Sequence, residues 1–468
     1  MSDGAALARI VKAYDVRGLV DTELTPAVAR ALGTAVALEL AAPGERLVVG
    51  RDMRPSSPTL VAAFTDALLD AGVDVVDVGL VSTDAVTYAS GELAAPGAMF
   101  TASHNPAAYN GIKLCRAGAV PVAIDSGLAR IRDLAALVLA SGPESVEGGV
   151  AATRGSRSAL DLLPRFGAHV RSFLNEPSAL SGMRIVVDAG NGMGGLVWPA
   201  VTEGLGIDAV PLYFELDGTF PNHPADPLDP ANLVDLSARV VSEGAVLGLA
   251  FDGDADRVFA VDASGRAVDS SLVGALVADR ALRAEPGGTV LHNLICSRSV
   301  PEAIVAAGGV PVRTRVGHSF IKSEMARTGA VLGVEHSGHF YFRDNHRADS
   351  GVIAALLLLE AVADAGGSLA DAVAAHDTRV RSGERNLRVT DTAAALTLVR
   401  RAYAARVPDG LDELDGLTVD LGAVWFNVRP SNTEPLLRLN VEADASEGVD
   451  GMERTVAEVT GLLASVVV

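Results

Sequence analysis

Leu249-Ala-Phe-Asp252-Gly-Asp254-Ala-Asp256-Arg257 is the stretch on which the reading of this chain turns. Apolar residues suited to a buried strand run straight into carboxylates at alternate positions. On an extended segment alternate side chains point to one side, so the three acids converge at a strand end. A polar loop closing a buried strand is the habit of layered α/β proteins. The pattern recurs twice. Strand-like runs open three sections, as Arg46-Leu-Val-Val-Gly-Arg-Asp52, Arg184-Ile-Val-Val-Asp188 and Thr289-Val-Leu-His-Asn293. In each, a second apolar run ends in a polar loop: Met99-Phe100 into Thr101-Ala-Ser103-His104-Asn-Pro106, Leu249-Ala-Phe251 into the carboxylates, and Val331-Leu-Gly-Val334 into Glu335-His336-Ser337-Gly-His339. The repeat is one of architecture and not of close sequence identity, and any α/β chain shows some of it.

Helix signals lie between these runs. Thr25-Pro26 and Ser57-Pro58 pair an N-cap type with proline at the first helical position, and Pro43-Gly44 and Gly72 supply stops. Linker composition marks Ser141 to Ser158, the region around Asp262 to Asp269, and Ala363 to Glu384. The last section differs, with a helix expected over Thr392 to Ala405, a strand over Ala423 to Val428 and a final helix from Gly451 to near Ser465, which together predict a smaller α+β domain.

The chain has 468 residues, and its 38 Lys+Arg against 58 Asp+Glu give a net charge of −20. That balance argues against general nucleic-acid binding, which needs a field that attracts phosphate. The only cysteines, Cys115 and Cys296, can build neither a disulfide framework nor a four-ligand zinc site. The start, MSDGAALARI, lacks a signal pattern, and the apolar run Ala354 to Ala363 is too short to span a membrane and holds Glu360. A cytoplasmic protein with no membrane partner is the expectation.

The carboxylates Asp252, Asp254 and Asp256 repel one another unless a cation joins them. A hard divalent ion wants such oxygens, and magnesium leaves room for phosphate. An EF-hand is excluded, since its sixth and twelfth positions fall on Arg257 and Ala263; a solvated acidic turn is the plainer alternative. Ser103 offers a hydroxyl at a strand end without the surroundings of a hydrolase nucleophile. Gly190-Asn-Gly192-Met-Gly-Gly195 satisfies G-x-G-x-x-G after a strand, with Glu215 and Asp217 near the spacing of a ribose-binding acid, so a dinucleotide oxidoreductase is the rival. Pro199, Pro211 and Pro221 interrupt the segment downstream of it and favour a plain glycine turn. Arg429-Pro-Ser431-Asn432-Thr433-Glu-Pro435 can wrap a phosphate with one guanidinium, hydroxyls and backbone N–H groups, or be an ordinary Asn/Ser/Pro loop. All three lysines, Lys12, Lys113 and Lys322, stand beside motif residues. Lys113 closely follows Ser103, and an ammonium can move protons where a guanidinium cannot.

Lys12-Ala-Tyr14-Asp-Val-Arg17-Gly, Thr101-Ala-Ser-His-Asn-Pro106, Asp252-Gly-Asp-Ala-Asp-Arg257, Gly333-Val-Glu-His-Ser-Gly-His339 and Arg429-Pro-Ser-Asn-Thr-Glu-Pro435 occur in this order across almost the whole chain. The set resembles the α-D-phosphohexomutase family, in particular bacterial phosphomannomutase/phosphoglucomutase enzymes. The resemblance implies an α/β protein of four domains around a central cleft: three αβα domains with mixed sheets, over 1–150, 151–262 and 263–375, and a smaller α+β domain over 376–468. It implies reversible transfer of phosphate between O1 and O6 of a hexose, mannose and also glucose, through a phosphoserine at Ser103 and a bound hexose 1,6-bisphosphate, which doubles as activator. Mg²⁺ would be held by Asp252, Asp254, Asp256 and an oxygen on Ser103. Arg17, Lys113 and Arg257 would flank the transferring phosphate, His339 or Lys113 would exchange the hydroxyl proton, and His104 completes the catalytic set. Tyr14, His318, Glu335 and Ser337 would meet the sugar, while Arg429, Ser431, Asn432 and Thr433 would hold the non-reacting phosphate. A monomer or a homodimer fits.

Two departures stand out. Family members often have Thr-Pro where this chain reads Ser82-Thr83-Asp84, and mannose/glucose enzymes can place a ligand-contacting lysine at Ile295. Phosphoglucosamine mutases tend to carry Ser and Gln where this chain has Thr101 and His336. Such a mutase, a non-catalytic sugar-phosphate binder, and a phosphatase using Asp252 as nucleophile are the alternatives.

Overall fold

Thr25 does what its position predicts. Its hydroxyl accepts the Val28 N–H at 3.3 Å and starts the helix Pro26–Leu40. The next helix, Ser57–Asp70, begins differently: its N-cap is Ser56, and the Ser57 hydroxyl donates to Asp52 Oδ1 at 2.8 Å, so Ser57 is a helical residue drawn into a buried polar web. The two helices touch at Gly33, where a Cβ would stand 2.5 Å from the Phe64 carbonyl oxygen. The computed structural model describes residues 3–431 and 436–464. It divides into two compact units, one of Met1–Val273 with Ser337–Ala372 and the other of Gly274–His336 with Val373–Val468.

The first unit holds two mixed sheets. In the first, β1 (Val16–Leu19), β2 (Arg46–Arg51), β3 (Asp74–Leu80), β4 (Gly97–Phe100), β5 (Tyr109–Arg116), β6 (Val120–Pro121) and β7 (Arg157–Ala159) run in the order β1-β5-β4-β2-β3-β7, with β6 on β5. The stretch expected to be a linker after Ser141 thus ends in β7, parallel to β3. Leu32, Phe64, Phe100, Ile112 and Ile131 fill the core between this sheet and the helices. Burial of that apolar area is the main stabilising term. The second sheet orders β8 (Arg184–Asp188), β9 (Asp208–Leu212), β10 (Leu247–Phe251), β11 (Val258–Asp262) and β12 (Ala267–Val268) as β12-β11-β10-β8-β9. β10 is parallel to β8 and antiparallel to β11, so the six residues 252–257 close a hairpin.

The Gly190–Gly195 turn follows β8 as expected, but it is filled by protein. A Cβ on Gly195 would lie 2.2 Å from the Phe214 oxygen and one on Gly192 2.8 Å from the Gly253 oxygen. Asn191 donates to the Glu215 carbonyl at 2.9 Å. These glycines allow backbones to approach one another, the packing role of a plain glycine turn.

In the same unit, Phe340–Phe342 and Ala348–Asp349 pair antiparallel, and the helix Gly351–Asp364 comes next, N-capped by Ser350. In the second unit, Thr289–Asn293 lies parallel between Val310–Thr314 and Leu332–Val334. The last section is an antiparallel sheet centred on Val424–Pro430 and Leu436–Asp444, covered by the helices Thr392–Ala404 and Gly448–Leu463. Tyr403, Phe426, Leu439 and Val459 make its core. Among the described residues no helix is long and apolar enough to cross a membrane.

Candidate active site

Ser103 lies just past the end of β4 with φ +50°, the left-handed region that side chains usually avoid. Its N–H is taken by Thr101 Oγ1 at 2.9 Å, and its hydroxyl donates to Asp252 Oδ2 at 2.8 Å. Arg257 Nη2 stands 3.4 Å from the same hydroxyl oxygen, and His104 Nδ1 3.3 Å. Burial, with the cations Arg257 and Arg17, holds His104 well below the usual imidazole range, so the ring is neutral and takes a hydrogen bond from Arg257.

The carboxylate hairpin meets this serine from β10. Asp252, Asp254 and Asp256 are all buried, and ligand oxygens of the three lie within 4.8 Å of one another. Burial, reinforced by Asp256 and Asp254 and opposed by Arg257, pushes Asp252 up to about 7. Burial acts in the same sense on Asp254, but Lys113 and the Thr83 hydroxyl outweigh it and hold that carboxyl well below the usual range. Lys113 Nζ reaches Asp254 Oδ2 at 2.8 Å and Asp256 Oδ2 at 2.6 Å. The remaining oxygens, Asp254 Oδ1 and Asp256 Oδ1, are buried without a hydrogen-bond partner. Such orphaned acceptors on hard oxygen donors suit a divalent cation such as Mg²⁺, and the donor set fits it.

Strand register explains why two of the flanking cations share a face. Arg17 on β1 pairs with Gly111 on β5, two residues before Lys113, so both side chains leave the sheet on one side. Gly111 must be glycine, since a Cβ would fall 2.3 Å from the Val16 oxygen. Arg17 Nη1 binds Asn105 Oδ1 and Nη2 binds Asp15 Oδ2, both at 2.6 Å, which seats it against the serine loop. Tyr14 is half-buried on the approach to β1. His339 is brought to the hairpin by a bridge between its backbone and that of Arg257. Its Nδ1 lies 3.0 Å from Asp349 Oδ2 and 3.9 Å from Asp256 Oδ1. Burial works against its charge, but the two carboxylates outweigh burial and raise it. Ser337 is half-buried two residues earlier.

The second unit gathers the other expected residues. Glu335 Oε1 accepts from Asn293 Nδ2 at 3.2 Å and from the Gly317 N–H at 3.0 Å, beside His318, the first residue of its helix. Arg429 is 2% exposed and pairs in register with Arg438 on the neighbouring strand. One carboxylate, Glu384, serves both, at 3.3 Å from Arg429 and 3.2 Å from Arg438. Each guanidinium keeps a buried Nε without a partner. Burial lowers Arg429 somewhat, against the pull of Glu384. The Ser431 N–H closes this turn on the Leu436 oxygen at 2.9 Å. Asn432 and Thr433 lie outside the described residues. Glu335 and Asp415 also act on Arg429 electrostatically, and a pair of guanidinium groups on adjacent strands that share one ion-pair partner, Glu384, offers donors that can receive an anion.

The sequence matches the phosphoglucomutase/phosphomannomutase family in four consecutive segments: alpha/beta/alpha domain I over residues 8–136, domain II over 164–265, domain III over 269–379 and the C-terminal domain over 384–459. The chain belongs to this family. A curated relative described as "Phosphohexose mutases" from Xanthomonas campestris is 40% identical over 455 residues, covering 97% of this chain and 98% of the relative. The phosphomannomutase/phosphoglucomutase of Pseudomonas aeruginosa is 38% identical over 447 residues, 95% of this chain and 93% of the relative. A solved phosphoglucomutase/phosphomannomutase family protein from Burkholderia thailandensis superposes with a TM-score of 0.86 at 30% identity, covering 99% of this chain and 98% of that one. With these relatives the chain is a hexose-phosphate mutase.

Within this family the two departures acquire a physical setting. Asp84 is fully buried and accepts from the Ser82 hydroxyl on one oxygen and from Ser350 Oγ at 2.6 Å on the other. Burial pushes it up to about 7, against those two hydroxyls. Ile295 is 6% exposed, an apolar side chain turned inward. Several of these partner residues carried no sequence signal: Asp349 in the first unit and Arg438 and Glu384 in the second belong to no contiguous motif, and Thr83 stood out only within the Ser82-Thr83-Asp84 departure. Of the three outside any motif, only Arg438 could have been suspected, as the next arginine after the phosphate-type loop.

Proposed function

We propose that the chain interconverts hexose 1-phosphate and hexose 6-phosphate, with mannose and also glucose as the sugar, by passing a phosphoryl group through Ser103 and a bound hexose 1,6-bisphosphate. The observation that carries this reading is the Ser103 hydroxyl, 2.8 Å from Asp252 and 3.4 Å from Arg257 in a strained turn, with Lys113 held beside it by Asp254 and Asp256. Phosphoryl transfer asks a protein mainly for position and charge neutralisation, and these are the two things the cluster supplies.

In this reading Ser103 carries the phosphoryl group. A sugar hydroxyl attacks phosphorus as the bond to Ser103 Oγ breaks, and the reverse step at the other end of the bisphosphate reloads the serine. Arg257, Lys113 and Arg17 face the oxygens in flight. His339, with its Nδ1 set against Asp349, takes the hydroxyl proton; Lys113, held charged by two carboxylates, is the poorer base. His104 stays neutral and shapes the turn. Mg²⁺ held by Asp252, Asp254, Asp256 and an oxygen on Ser103 would supply Lewis-acid neutralisation. Tyr14, Ser337, Glu335 and His318 contact the sugar. Arg429 and Ser431, with Asn432 and Thr433, take the phosphate that is not transferred, and Arg438 adds a second guanidinium.

The test is intact mass and peptide mapping of the purified protein, which should show one phosphoryl group on Ser103, together with kcat/KM for mannose, glucose and glucosamine 1-phosphates side by side. Normal turnover of Ser103→Ala with a bisphosphate activator would overturn the phosphoserine route. Steady release of inorganic phosphate would favour a phosphatase, and binding without isomer exchange a non-catalytic sugar-phosphate binder.

A further inference from the structure

Arg54 was part of no motif, yet it is among the largest fully buried side chains in the protein. Nε donates to Asp52 Oδ2 at 3.2 Å. Nη1 donates to the carbonyl oxygens of Pro106 and Tyr109, both at 2.9 Å, and Nη2 to those of Ser103 at 2.8 Å and Asn105 at 2.6 Å. All five N–H groups of the guanidinium are therefore used, four of them on one loop. The Phe220 ring covers the group, 5.1 Å from Cζ, and Gly218 presses on its backbone, where a Cβ would lie 2.5 Å from the Arg54 Cα. Asp52 is itself fixed: its Oδ1 accepts from the Arg54 N–H at 3.0 Å and from Ser57 Oγ, and Ser57 in turn takes a hydrogen bond from Asn110 Nδ2 at 3.0 Å.

We propose that Arg54 is a positioning residue for phosphoryl transfer, a buried guanidinium around which the carbonyls of Ser103 to Tyr109 are wound so that Ser103 Oγ is held at the point of attack; this rests on the phosphoserine reading above. Two features separate this role from ordinary support. Arg54 grips the carbonyl of the reacting residue itself, and that residue has the left-handed backbone that surroundings must enforce. The grip also needs a planar fork. A lysine has three donors on a single nitrogen and cannot serve four carbonyls and a carboxylate at once. In-line displacement tolerates little error in the position of the oxygen, so a loosened loop should lower the rate of the chemical step more than substrate affinity.

The experiment uses the full-length protein as wild type, Arg54→Lys and Arg54→Ala, with phosphate content by intact mass, the folded fraction by circular dichroism and thermal melting, and kcat and KM per folded molecule. The expected result is that folded Arg54→Lys loses 100-fold or more in kcat while KM for hexose phosphate stays within threefold, and that millimolar guanidinium restores part of the kcat of Arg54→Ala and none of that of Ser103→Ala. A purely structural role would lower the melting temperature and the folded fraction but leave kcat per folded molecule within threefold of wild type, and that result overturns the proposal. If neither Arg54 variant folds, Asp52→Asn is read in the same assay: a tenfold or larger fall in kcat at constant KM supports the proposal, and unchanged kcat overturns it. Absence of phosphate on Ser103 in the wild type would instead remove the phosphoserine reading, whatever the variants do.

Discussion

Gly253 is packed so closely on Ser103 that a Cβ at the glycine would lie 2.4 Å from the serine carbonyl oxygen. The hairpin that carries the carboxylates and the loop that carries the hydroxyl therefore meet backbone to backbone, and neither can yield as a flexible side chain would. Gly253→Ala should push the loops apart by a good part of an ångström and lower kcat by about 100-fold. KM for the hexose phosphate should change much less, and steady-state kinetics on the folded variant would show the split. Unchanged kcat would mean that the close approach plays no part in catalysis.

Lys113 bridges Asp254 and Asp256 where cation and carboxylate charge must balance. Lys113→Met leaves buried carboxylates without their ammonium, and breaking such a pair costs about 3–5 kcal/mol; with the lysine side chain 26% exposed the low end applies. Mg²⁺ should recover much of the loss, because an ion bound only by the folded state at 100 times its Kd adds about 2.7 kcal/mol. Thermal melts in EDTA and in Mg²⁺ should accordingly show a larger Mg²⁺ shift for Lys113→Met than for wild type. Equal shifts would place the ion elsewhere.

Asp349 holds one ring nitrogen of His339 at 3.0 Å. Asp349→Asn keeps the shape and removes the charge, so kcat is expected to drop by about 10- to 100-fold, within the range of a general base's contribution. KM should remain within about threefold. A KM effect alone, without loss of kcat, would assign Asp349 to the fold and not to the orientation of His339.

Asp84 gives a pH dependence of unusual sign. Its folded value of about 7 lies above the ordinary 3.8, so between those limits the folded state binds the extra proton. Stability from this group is then fully present below the unfolded value and falls as pH rises toward 7. Three units correspond to at most about 4 kcal/mol. Asp84→Asn, which can still hydrogen-bond Ser82 and Ser350, should melt near the wild-type temperature only below the unfolded value, somewhat higher than wild type at pH 5 and higher still at pH 8. The opposite trend in a pH series of melting curves would mean that Asp84 is ionised and compensated when folded.

Much of the candidate site was legible because its residues are contiguous. Asp252, Asp254 and Asp256 announce themselves by spacing, Ser103 by a hydroxyl at a strand end, and the C-terminal helices and strand fall within a few residues of expectation. What escaped were single residues whose partners are far away in sequence. Arg54 reads as one more arginine until β2 and the loop after β4 are laid side by side, and Asp349 means nothing until a short hairpin brings it back to His339. Ser57 departs from expectation because its hydroxyl is drawn into a buried web, donating to Asp52 five residues earlier and accepting from the distant Asn110. The Gly190–Gly195 turn shows the converse, a local pattern that fits a dinucleotide but serves the close approach of backbones.

The helix Thr83–Glu92 connects several of these places. At its start Thr83 binds Asp254 and Asp84 binds Ser350, while near its end a Cβ on Gly91 would run into the His346 ring at 2.2 Å. Its two ends are thus written against residues that lie far downstream in the chain. Recombination between relatives that exchanges only the first αβα segment would separate Asp84 from Ser350 and Gly91 from His346. The heritable module is then a set of matched positions rather than a domain, and functional chimeras should be those that carry both members of each pair across the crossover together.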